Sequence, residues 1–298
     1  MGGRVAITGF PVIHSEVYTT QNGTPYLKEP GVVLLSVPQV NLSGLEEFLK
    51  SFDKVDPKLR FGQYLEDETR LPPASKLSKV AGQCCYMSFG PKRTMNEKAG
   101  EYLDNILSSG HGSVLEHANF TFLFYGVSRS LTHELVRHRA GCAYSQLSQR
   151  YVSGKVLRFV ERPEYQNDSE LHRRFEERID CFAQEYNALA DYLFEKQQGG
   201  EVILSGEART DLRKKVQQCA RSVLPNETET IITMTANVRA WRHIINMRAS
   251  EHAEVEIRRL FFRVGLCLIM VEPILFSDFT IASYPDGTQG TTTPYPKV

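Results

Sequence analysis

No two cysteines in this chain have CxxC spacing, although there are six: Cys84, Cys85, Cys142, Cys181, Cys219 and Cys267. A zinc knuckle is therefore not expected. Charge of neither sign is in excess: 35 Lys and Arg face 35 Asp and Glu, and the pI is near 7.1. A general nucleic-acid binder carries a basic surplus, and no RRM or KH pattern is present. No nucleic-acid partner is expected, while local basic pockets for small anions stay open. No apolar run opens the chain as a secretory signal does, so a cytoplasmic protein with reduced thiols is the simplest expectation. Position 6 of the Met1-Gly2-Gly3 start is Ala, which does not support myristoylation. The most apolar stretch, 264–276, is interrupted by Glu272 and Pro273 and is too short to span a bilayer. It reads as a buried helix end, and no membrane partner is expected.

What is present suffices for a folded domain: 41% of 298 residues are hydrophobic. Residues 1–75 mix short apolar runs with Pro and Gly, end at Pro72-Pro73, and read as an N-terminal extension with a strand or two. Residues 76–110 read as helices broken at Gly90-Pro91, with Gly110 as a C-cap. The aromatic run 118–126 predicts a strand, followed by a helix over 128–139. Apolar residues at spacings of three and four predict a long amphipathic helix over 169–197, closed by Gly199-Gly200. Another helix is expected over 207–224, stopped by Pro225. A strand follows over 228–235, then helices over about 237–248 and 251–271. Residues 284–298, rich in Gly, Thr and Pro, read as a flexible tail, which leaves 76–283 as the main domain.

Four stretches carry chemistry. In residues 137–151, three arginines, a histidine, two serines and two glutamines crowd into a segment unsuited to a core. Arg137 and Arg139 would point about 200° apart on one helix, so a helix end running into a polar loop is expected. Guanidinium forks there suit phosphate or planar oxygens. The cluster His111-Gly-Ser-Val-Leu-Glu116-His117 lacks the HExxH spacing of a zinc helix, and no metal is expected. Arg221 ends an amphipathic helix, where an arginine commonly just complements the helix dipole. In 237–252, Asn237 suits a helix cap. Arg239, Arg242, His243, Asn246 and His252 form a polar side opposite Trp241, Ile244, Ile245 and Met247.

The triplet Arg137-His138-Arg139 followed by Ser148, Gln149, Arg150 and Tyr151 resembles the signature of the ThyX family, the flavin-dependent thymidylate synthases. That signature has seven residues between the triplet and the serine; here residues 140–147 make eight. The histidine–glutamate–histidine segment, Ala220-Arg221-Ser-Val-Leu-Pro225 and the 237–252 segment are similar to further family motifs in the same order. Together the resemblance spans about residues 78–275, and the first 75 residues exceed what many members have.

The resemblance implies an α/β (α+β) fold with an antiparallel-rich sheet flanked by long helices, in a homotetramer with shared active sites. It implies FAD as cofactor, NADPH as reductant and 5,10-methylenetetrahydrofolate as one-carbon donor. Reduced FAD would carry both methylene and hydride to C5 of dUMP, or of UMP as in relatives from nucleoside-antibiotic pathways. His111 would lie at the reacting face of the flavin, with Ser113, Glu116, Arg137, His138, Arg139, Asn237, Arg239, His243 and His252 also contacting it. Arg221 would bind the pyrimidine end and stabilise charge at O4. Gln146, Ser148, Gln149 and Arg150 would hold the phosphate, with Arg129 and Arg248 also on the nucleotide. Neither Ser148 nor Cys142 is expected to act as a nucleophile. The extra residue is expected to reshape the loop beside the ribose. The charges of 254–259 are expected to bridge subunits or meet solvent. The competing reading of the arginine-rich stretch is a non-enzymatic nucleotide- or RNA-binding protein.

Overall fold

The computed structural model describes residues 9–152, 157–199 and 209–296. The start at residues 1–3, Gly200, residues 207–208 and the last two residues lie outside them. In chain order the strands and helices are β1 (Val12–Ile13), β2 (Val17–Thr19), β3 (Pro25–Leu27), β4 (Gly31–Ser36), α1 (Leu45–Val55), α2 (Pro73–Tyr86), α3 (Ala99–Ser108), β5 (Asn119–Ser128), α4 (Arg129–Leu135), β6 (Cys142–Gln146), β7 (Phe159–Val160), α5 (Ser169–Gln198), α6 (Arg209–Ala220), β8 (Glu229–Asn237), α7 (Val238–Arg248), α8 (Val255–Val271), β9 (Thr280–Ser283) and β10 (Gln289–Thr292).

A five-stranded antiparallel sheet in the order β1-β4-β5-β8-β6 organises the molecule. The alternation in β5 puts Phe120, Phe122 and Phe124 on one face, fully buried. Trp241 of α7 meets Phe122 edge-to-face with ring centroids 5.1 Å apart, and Phe261 of α8 meets Phe124 at 6.4 Å. These two helices therefore cover that face of the sheet. The architecture is mixed α/β, with the antiparallel pairing and long helices expected. The longest helix, α5, starts where Asp168 accepts the N–H groups of Glu170 and Leu171, and buries Phe175, Ile179, Tyr186 and Leu193.

Several local expectations are corrected. The first 75 residues supply β4, which pairs with β5 inside the main sheet, so they are part of its framework. The helix expected over 128–139 ends at Leu135, and the arginine triplet lies beyond it. The polar loop expected after the triplet is mostly strand: β6 pairs with β8 from Cys142↔Ala236 to Gln146↔Ile232. An edge strand is covered on one side only, so its polar residues keep contact with water. The tail expected to be loose supplies β10, which closes a hairpin with β9, and its Gly290 lies so close to the Ala249 carbonyl that a Cβ would sit 1.9 Å from it. Arg258, 4% exposed, fixes this hairpin by donating to Asp286 and Thr288. Glu256, 2% exposed, accepts the N–H and hydroxyl of Ser128 at 2.7 Å each. These charges of 254–259 thus work inside the chain rather than toward water. Among the described residues no helix is long and apolar enough to cross a membrane.

Candidate active site

Strand β8 runs straight into α7. Asn237 ends the strand and caps the helix, its Oδ1 accepting the Ala240 N–H at 2.9 Å. This junction sets the helix face. Trp241, Ile244 and Ile245 turn inward, while Arg239, His243, Asn246 and, contrary to the expected apolar side, Met247 line an open groove of about 800 Å³. Arg248 at the end of α7 and His252 in the following turn complete its wall. Arg239 also lines a second cavity of about 360 Å³, with Cys85, Tyr86, His111 and Ser113. Its Nη1 donates to Glu116 at 2.5 Å. One guanidinium thus joins the 111–117 cluster to the α7 segment, more than a hundred residues later.

Arg248 ties in the triplet. Its Nε donates to His138 Nε2 at 2.9 Å and its Nη1 to Glu134 Oε2 at 2.7 Å. The His138 and His243 rings lie 6.1 Å apart. Burial, then the Arg248 charge and His243, push the His138 pKa down to about 4. His138 is therefore neutral near pH 7 and offers Nε2 as an acceptor. The Tyr144 hydroxyl donates to the His138 carbonyl at 2.7 Å, which holds the turn against β6. Arg137 and Arg139 are exposed, and Arg137 Nε donates to the His133 carbonyl. The triplet is split: its histidine is held inward and its arginines face outward.

The remaining candidates collect elsewhere. None of Arg129, Gln146, Ser148, Gln149, Arg150 or Arg221 lines the groove. Burial and the nearby Arg221 guanidinium hold Arg129 below the usual arginine range, which marks two like charges near each other. Such a pair favours an anion between or beside it. The Gln146 amide already donates to Thr132 and Thr230 hydroxyls, at 3.0 and 3.2 Å. Ser148 starts a turn in which its carbonyl accepts Tyr151 and Val152 N–H groups. Among the described residues, the buried Arg150 Nε has no hydrogen-bond partner. The Arg150 guanidinium lies 5.8 Å from the Tyr151 ring centre, and Lys214 Nζ lies 4.9 Å from it.

Tyr144, Lys214, Cys85 and Tyr86 were not singled out from the sequence. Their places depend on pairing and helix packing, which no local spacing announces. Among the described residues no group of three or more His, Cys, Asp or Glu could hold a metal. The Cys142 thiol is pushed up by burial and donates to the Ala140 carbonyl at 3.4 Å, which is not the setting of an activated thiolate.

The extra residue between the triplet and Ser148 makes no bulge in β6, whose register with β8 is continuous from Cys142 to Gln146.

Residues 65–273 match the family model described as thymidylate synthase complementing protein. The flavin-dependent thymidylate synthase of Mycobacterium sp. (strain KMS) is 45% identical over 228 residues, which are 76% of this chain and 88% of that protein. The flavin-dependent thymidylate synthase of Mycobacterium leprae (strain TN) is 43% identical over 220 residues, 74% of this chain and 85% of that protein. Among solved structures, the UMP/dUMP methylase PolB from Streptomyces cacaoi, bound with 5-Br dUMP, superposes with a TM-score of 0.51 at 16% identity. The match covers 84% of this chain and 94% of that one, a likeness of fold. Sequence, motif order and fold thus agree that this chain is an enzyme belonging to the thymidylate synthase complementing protein family, the family of the flavin-dependent thymidylate synthases.

Proposed function

We propose that the protein catalyses reductive methylation of dUMP at uracil C5 to give dTMP, with FAD as cofactor, 5,10-methylenetetrahydrofolate as one-carbon donor and NADPH as reductant. The observation that carries this reading is Arg239, a shared wall of two cavities that joins motifs far apart in the chain. The side chains there suit a flavin. Guanidinium and imidazole groups line an open groove, and the flavin dinucleotide offers a diphosphate and a pyrimidine edge rich in acceptors.

In this reading Arg239, His243, His252, Asn237, His111, Ser113 and Glu116 hold FAD, together with Arg137, His138 and Arg139. When bound and reduced, FAD supplies the hydride and relays the one-carbon unit. Every other contribution is the chain's own. Arg221, beside Arg129, stabilises negative charge at uracil O4 and so makes C5 nucleophilic. Arg150, whose buried Nε has no partner among the described residues, binds the phosphate with Ser148 and Gln149. Gln146, already bonded to two threonines, positions this strand, and Arg248 contacts the nucleotide from the groove. No protein nucleophile takes part.

Within one chain the groove and the Arg129–Arg221 pair are distinct places. Active sites completed between subunits of a homotetramer, in the cytoplasm, are part of the same reading. The test is turnover of dUMP and UMP with the same folate and NADPH. Purified protein should be yellow and convert dUMP, and a Cys142→Ala variant should still do so. Protein that neither contains nor takes up FAD would mark a binding protein rather than this enzyme. A UMP preference beyond about 10³-fold would mean that the site hydrogen-bonds the 2′-hydroxyl, and dUMP would be the wrong substrate.

A further inference from the structure

The arginine triplet and the capped start of α7 meet at one residue. Gly141 follows the triplet with φ +70°, a left-handed conformation that L side chains rarely adopt. It closes a tight turn in which the Cys142 N–H donates to the Arg139 carbonyl at 3.2 Å. The Gly141 carbonyl accepts the Asn237 N–H at 3.1 Å. There is no room for a side chain: a Cβ at this position would lie 2.6 Å from Asn237 Nδ2 and 3.0 Å from its Oδ1. That Oδ1 is the atom that caps α7 through the Ala240 N–H. Directly after Gly141, β6 enters its regular register with β8.

We propose that Gly141 is a positioning residue that latches residues 137–139 to the capped start of α7, and so sets flavin affinity more than nucleotide affinity or sugar choice. On one side of Gly141 lies the triplet, and against it lies the cap of the helix carrying Arg239 and His243. The nucleotide candidates Ser148, Gln149 and Arg150 lie beyond an unbroken strand. A disturbance at Gly141 therefore reaches α7 and the triplet directly, while the β6–β8 ladder isolates it from the far end of β6. The latch rests on the flavin assignment proposed above.

The experiment compares wild-type protein with Gly141→Ala and Gly141→Asn. FAD affinity is read by quenching of flavin fluorescence, and dUMP affinity by calorimetry at saturating FAD. Gly141→Ala meets both the backbone conformation and the Asn237 contact, and should raise the FAD Kd at least tenfold. Asparagine tolerates positive φ, so Gly141→Asn keeps the turn and isolates the contact. It should fold like the wild type and still raise the FAD Kd severalfold, with a shifted absorption band of bound flavin. In both variants the dUMP-to-UMP ratio of kcat/KM should stay within threefold of wild type, and the dUMP Kd should rise less than the FAD Kd, because among the nucleotide candidates the latch touches Arg248, which ends α7 and bonds His138. Unchanged FAD affinity in Gly141→Asn overturns the latch, and so does an equal loss of dUMP affinity. Failure of the wild type to bind FAD would instead overturn the functional reading on which the latch rests.

Discussion

Arg239 and Arg242 stand one turn apart on α7 and live in different worlds. Arg242 is 3% exposed. Its guanidinium grips Asp278 through two hydrogen bonds of 2.7 Å and also donates to the Leu275 carbonyl at 2.6 Å. The Phe279 ring lies 4.9 Å away. Arg239 pairs with Glu116, but both side chains are more than 40% exposed, and Arg239 borders two cavities. Within one sequence motif, the chain seals some guanidinium groups with its own carboxylates and carbonyls. It leaves others at an open surface. The sealed set holds the fold, and the open set is where a ligand's negative charge has something to gain.

The largest effect should come from breaking the sealed set. Arg242→Ala leaves Asp278 buried and unpaired, which costs about 3–5 kcal/mol and should lower the Tm by roughly 10 °C. Thermal unfolding of the apoprotein measures this, and a loss below about 1 kcal/mol would deny that the pair supports the fold. Arg239→Ala sharpens the comparison from the other side. An exposed pair contributes at most about 1 kcal/mol, so stability should barely move. Flavin affinity should fall about ten- to a hundredfold, the value of one or two charge-assisted hydrogen bonds. If Arg239→Ala destabilised the protein as much as Arg242→Ala while binding FAD normally, the distinction between sealed and open guanidinium groups would collapse.

Which half of this contrast the sequence reveals depends on distance along the chain. The stripe of α5 and the aromatic alternation of β5 are local patterns, and both read correctly. His111, Arg239, His243 and His252 were picked by residue type and motif, and the fold brings them to two adjoining cavities. Arg242 read as one of a solvated set because its partner Asp278 lies 36 residues on, in a segment with no pattern of its own. Arg258 and Asp286 were hidden for the same reason. Strand β6 read as a loop because an edge strand with water on one side need not be apolar. The place of β4 was not legible either, since its partner β5 lies some ninety residues later and pairing register leaves no local trace.

The smallest effect is a pH dependence in which two buried groups work against each other. Burial raises the Glu256 carboxyl to about 7, although the Ser128 donors partly offset this. Its ordinary value is 4.5, so the folded protein holds this proton more tightly than the unfolded chain. The resulting stabilisation is complete below pH 4.5 and is lost as pH rises through 7, at most about 3 kcal/mol. His138 has the opposite sign. Its ordinary value of 6.5 falls to about 4 in the fold, so its contribution is present above pH 6.5 and is lost as pH falls through 4. Between pH 4.5 and 6.5 the two slopes oppose each other and flatten the wild-type profile. Glu256→Gln removes the falling component. The variant's unfolding midpoint should therefore climb from pH 4.5 to 6.5 more steeply than that of the wild type. It should also stop declining between pH 6.5 and 7.5. Denaturant titrations of the apoprotein at pH 4.5, 5.5, 6.5 and 7.5 measure both profiles. Parallel curves for variant and wild type would mean that Glu256 does not exchange its proton on folding. The buried carboxyl under Ser128 would then belong with the sealed charges, acting by hydrogen bonding alone.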